Sequence, residues 1–83
     1  MNDNLFRQVT IITEEYLGPS AERFVSRQIT FHLGKEPEAL TEADLPTLIE
    51  WSRVTFGLLT EDRQVVDDYA RKLNDLAVTY EEN

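Results

Sequence analysis

Between Leu45 and Leu59 the chain is apolar around most of a helical circumference. At 3.6 residues per turn, Leu45, Leu48, Ile49, Ser52, Phe56 and Leu59 share one face, and Trp51, Val54, Thr55 and Leu58 share a flanking one. A helix buried on one side needs a single stripe. One that is apolar on two sides is central to a core or meets a partner. A chain of 83 residues makes one domain, residues 1–83, with little core to spare. At this size only about 60–65% of the unfolded chain's surface is buried. The double stripe therefore predicts a helical module that packs inside itself or against another protein.

Punctuation divides the chain into four helical segments. From Asp3 to Leu17, Leu5, Val9, Ile12 and Tyr16 recur at helical spacing, and Gly18-Pro19 ends the run. From Pro19 to Leu33, Ala21, Phe24, Val25, Ile29 and Leu33 or His32 form an inner stripe, with Gly34 placed for a left-handed cap. Thr41 and Asp44 form a shortened capping box, and Leu40 and Leu45 a hydrophobic staple around it. Pro46 then predicts a short turn at Glu42–Leu45 and a kinked continuation to Phe56, near Gly57. Thr60 reads as the N-cap of a last helix reaching about Val78, with Val65, Val66, Tyr69, Leu73, Leu76 and Ala77 inward. Its outer face carries the acid-first pairs Asp67–Arg71 and Asp68–Lys72. The expected fold is all-α, a small bundle of four main helices with an extra short turn. The alternative is α+β, because Gln28–Leu33 alternates polar and apolar and Val9–Thr13 is rich in β-branched residues.

Composition narrows the function. There is no cysteine, hence no disulfide, thiolate nucleophile or cysteine metal site. Met1-Asn2-Asp3-Asn4 lacks the basic start and apolar run of a secretory signal, and no apolar run reaches membrane-span length. These features predict a cytoplasmic protein without a membrane partner. Sixteen acids against eight bases leave a net charge of -8, which repels nucleic acid as a whole-molecule field.

No chemical constellation emerges. The doublets Glu14-Glu15, Glu61-Asp62, Asp67-Asp68 and Glu81-Glu82 place adjacent carboxylates about 100° apart on a helix, which does not chelate a metal. His32 is the sole histidine, with no nucleophile or second ligand arranged beside it. It is expected to settle against a helix C-terminus. Three scattered glycines make no phosphate loop. We therefore expect no catalytic, cofactor-binding or metal-binding residue and no enzymatic activity. Trp51 is the candidate interface anchor, with Val54 and Leu58 on its side. Arg23 and Arg27, four apart, form a positive stripe available to an acidic partner or to the acidic last helix.

Tyr16, Gly18, Pro19, Ala21, Glu22, Val25 and Arg27 follow a pattern of aromatic, Gly-Pro, small residue, acid and an apolar-x-Arg step. In this the stretch from Tyr16 to Ile29 resembles a short helical accessory domain found near the C-termini of bacterial signalling proteins, some with kinase or Roadblock-type modules. Tyr16 to Ile29 is about a sixth of the chain, and the later region from Asp44 to Trp51 is compatible with the same domain without being diagnostic. It implies a helical accessory role and no catalytic residue. The functional expectation is a non-enzymatic protein–protein interaction or oligomerisation module in bacterial signalling or regulation. A small helical nucleic-acid-binding regulator is the alternative, which the charge opposes.

Overall fold

A computed structural model describes residues 3–81. Met1 and Asn2, at the start read for a signal, and Glu82, of the last acid doublet, lie outside the described residues. Helix α1 spans Asp3–Leu17, α2 Ala21–Gln28, α3 Leu45–Gly57 and α4 Arg63–Glu81. The described residues form no strand, so the fold is all-α.

The count of four main helices is corrected to three. Helices α1, α3 and α4 have 15, 13 and 19 residues. The second segment is a composite: a 3-10 turn at Gly18–Ser20, the two-turn α2, and a π turn at Ile29–Leu33. The same π turn overturns the α+β alternative. The alternation in Gln28–Leu33 is a helix widening by a residue, and Val9–Thr13 lies within α1.

Two glycines set the corners. Gly18 has φ +60° and Gly34 φ +67°, conformations that cost a residue with a Cβ but not glycine. Gly18 turns the chain from α1 towards α2, and Gly34 caps the π turn as expected. The capping box and short turn before α3 also follow the sequence, but the kink expected at Pro46 does not arise, because the helix begins at Leu45. A 3-10 turn at Glu42–Asp44 precedes the helix, with Pro46 in the first turn, where a missing N–H costs nothing. The Asp44 carboxylate accepts from the Thr41 backbone N–H and the Thr41 hydroxyl, both at 3.0 Å, and from the Lys35 ammonium at 2.7 Å.

The cap of α4 is Asp62 rather than Thr60. Asp62 Oδ1 accepts the Gln64 N–H at 3.0 Å, while Thr60 Oγ1 accepts the Asp62 N–H two residues earlier. On the outer face of α4, Arg71 pairs with Asp68 and not with Asp67. Lys72 lies 2.7 Å from Glu15 of α1, and 3.8 Å from Asp68.

Phe56 joins the four elements. Its ring lies edge-on to Tyr16 of α1 at 5.8 Å, Phe24 of α2 at 6.5 Å and Tyr69 of α4 at 5.0 Å. Around it Leu5, Val9, Val25, Ile29, Leu40, Leu45, Leu48 and Leu73 close the core. One polar contact crosses this core. Thr13 Oγ1 donates to the Val9 carbonyl at 2.8 Å, so the Tyr69 hydroxyl, 2.7 Å away, donates to Thr13. Burial raises the Tyr69 pKa to about 12.

Candidate functional site

The inner face of α3 is consumed by the core: Leu45, Leu48, Ile49, Ser52 and Phe56 are all buried. Leu59, assigned to that face by spacing, is instead 60% exposed, because the helix ends at Gly57 and the chain leaves its register. The flanking face stays outside. Trp51 is 41%, Val54 51% and Leu58 82% exposed. Thr55, between them, is partly covered and donates its hydroxyl to Gln28 Oε1 at 3.1 Å, tying α3 to α2.

This face borders two depressions. On one side Val54 and Leu58 line a hollow of about 580 Å³ with Arg53, Glu61, Arg63 and Asp67, whose charges offset one another. On the other side α2, the π turn and the end of α3 enclose a groove of about 530 Å³. Arg23 and Arg27 line it with Phe24, Phe31, His32 and Leu59. The structure thus brings Val54 and Leu58 together in one depression and Arg23 and Arg27 together in another. Trp51 lines neither, but it touches the groove wall. Its indole stacks on the His32 imidazole, ring centroids 3.9 Å apart and planes 7° from parallel.

His32 stands in the last turn of the π helix, as expected, and the stacking on Trp51 adds a contact that the sequence did not show. The ring packs on Trp51 because the π turn rotates residues 29–33 relative to an α-helical continuation. The same turn leaves Phe31 73% exposed at the groove. Sequence reading missed Phe31, His32 and Leu59 as surface elements. The available signal was the polar–apolar alternation of Gln28–Leu33, which marked a departure from α-helical spacing without saying which.

The arginine stripe does not reach the acidic helix. Among the described residues Arg23 and Arg27 form no ion pair, and on α4 Asp68 is held by Arg71 and Lys72 of the same helix. Nor do the described residues gather three or more side chains able to hold a metal ion. No described helix is long and apolar enough to cross a membrane. No protein-family model, curated protein or solved structure matches this chain.

Chemically, the site offers aromatic and aliphatic surface on α3 and the π turn, edged by two guanidiniums on α2. Such a surface gains by being covered. Apolar area removed from water contributes about 25 cal/mol per Å².

Proposed function

We propose that this protein is a non-enzymatic module that binds another protein, or a second copy of itself, through the exposed face of α3. The observation that carries the reading is the exposure of Trp51, Val54 and Leu58 on a helix whose other face already fills the core. Tryptophan is enriched among interface residues that dominate binding, and truncating such an anchor costs about 2 kcal/mol or more of affinity. The motif running from Tyr16 to Arg27 suggests bacterial signalling as the setting, and the absence of cysteine fits a cytoplasmic one.

The test pairs sedimentation mass across concentration with photo-crosslinking from a reactive residue in place of Val54. A docking face gives a concentration-dependent mass or a discrete crosslinked partner, and either is lost in Trp51→Ala and Leu58→Ser while the fold persists. A strict monomer with no crosslinked species, whose variants merely unfold, contradicts the proposal.

A further inference from the structure

We propose that the groove between α2 and α3 receives an amphipathic helix of another protein, one that carries two carboxylates a turn apart beside an apolar stripe. This assignment rests on the docking function proposed above and names the partner's chemistry.

Charge is the first support. The chain has twice as many acids as bases, and the hollows beside Val54, Tyr16 and Phe6 all contain acids. The groove contains Arg23 and Arg27 and no acid. On their own helix these arginines have no acid three or four residues away; each has the other. Like charges four apart destabilise a helix as much as an ion pair supports it. Both are solvent-exposed and unpaired among the described residues, so the repulsion is uncompensated until an anion arrives.

Shape supplies the second. Phe31 and Leu59, among the most exposed apolar side chains in the chain, stand at the same groove as the arginines. A ligand that satisfies both needs anionic groups and apolar groups on adjoining faces. Carboxylates four apart on a helix repeat the spacing of Arg23 and Arg27, and each guanidinium can hold one in a two-pronged pair. Neighbouring Leu or Phe side chains of the same helix then reach Phe31 and Leu59. A second copy of this chain fits less well: each carries a net charge of -8, and Asp68 of its acidic helix is already held by Arg71 and Lys72.

Trp51 is the only tryptophan and stacks on His32 at the groove wall, so its emission reports occupancy. The probe is a synthetic amphipathic helix with two glutamates four residues apart next to a leucine stripe, compared with the same peptide bearing glutamines. The glutamate peptide is expected to shift Trp51 emission saturably and to bind at least about tenfold more tightly than the glutamine peptide, with the difference shrinking as salt rises. Arg23→Glu with Arg27→Glu abolishes binding; both positions are exposed, and circular dichroism checks that the fold is kept. Ile11→Ser, at an exposed position of α1 away from the groove and from the exposed face of α3, binds the peptide like wild type. Equal binding of the two peptides, no binding, or tighter binding of a short DNA duplex overturns the assignment. So does self-association that disappears in the double arginine variant, because a second copy is then the occupant. If the peptide fails while crosslinking from position 54 persists, only this assignment falls; loss of both removes the docking function as well.

Discussion

The imidazole of His32 lies against the indole of Trp51 at 3.9 Å, and this stack joins the π turn to the exposed face of α3. Neither ring is in the core, so the pair is a surface clasp between two elements. His32→Ala uncovers one face of the indole. The expected outcome is a red-shifted Trp51 emission and a stability loss of about 0.5–1 kcal/mol by urea titration, the usual worth of an aromatic pair beyond its area. An unchanged emission spectrum means that the rings are not stacked in solution.

The Thr13–Tyr69 hydrogen bond crosses the core between α1 and α4. Thr13→Val keeps the side-chain shape and leaves the Tyr69 hydroxyl without its acceptor. A loss of about 1–3 kcal/mol is expected, the cost of an unsatisfied buried polar group. The urea midpoint measures it, and Tyr69→Phe in the same background restores part of the loss.

Burial of Tyr69 also sets an alkaline limit. Its hydroxyl ionises near 10 in the unfolded chain and near 12 in the folded one. The folded state holds its proton longer, so stability is complete below pH 10 and declines as the pH rises from 10 to 12. The decline approaches about 3 kcal/mol at 1.4 kcal/mol per pH unit. Tyr69→Phe flattens that limb in urea titrations at alkaline pH.

An acid limit comes from Asp44. Burial pushes its carboxyl up, but the hydrogen bonds from Lys35 and Thr41 outweigh this and hold it below 3.8. A lowered carboxyl stabilises the fold above its ordinary value, and the contribution is lost as the pH falls through the lowered one. Asp44→Ala is expected to cost about 1–2 kcal/mol at neutral pH, as loss of a helix cap does, and to weaken the acid dependence. Guanidinium titrations from pH 2 to 6 read both effects.

Gly34→Ala isolates the backbone. An added Cβ meets nothing within 4 Å, so only the left-handed φ of +67° opposes it. A loss of about 1–2 kcal/mol is expected in thermal unfolding, and Gly57→Ala, at a negative φ in α3, causes none.

Much of this fold was legible in the residues. The inner faces of α1, α3 and α4 follow helical spacing, and Gly18-Pro19, Gly34 and the Thr41–Asp44 pair sit where sequence placed them. Trp51, Val54 and Leu58 were recognisable as a second face because a helix cannot bury both sides against so few neighbours. The π turn was not legible. Its cause is a shift in hydrogen-bond register, which changes where Phe31 and His32 point without any glycine or proline to announce it. The groove followed that turn out of sight, since its walls come from residues as distant in sequence as Arg23 and Leu59. Asp62 displaced Thr60 as the cap of α4 because both side chains suit the role, and spacing alone does not choose between them.

The docking claim is tested most directly by amide chemical-shift mapping of the folded protein with the glutamate-bearing amphipathic peptide. The expected result is a contiguous set of perturbed amides from Arg23 to His32 and from Trp51 to Leu59, saturating with peptide and absent in the Arg23→Glu, Arg27→Glu variant. Perturbations confined to the outer face of α4 around Asp67 and Asp75, or none at all, contradict it.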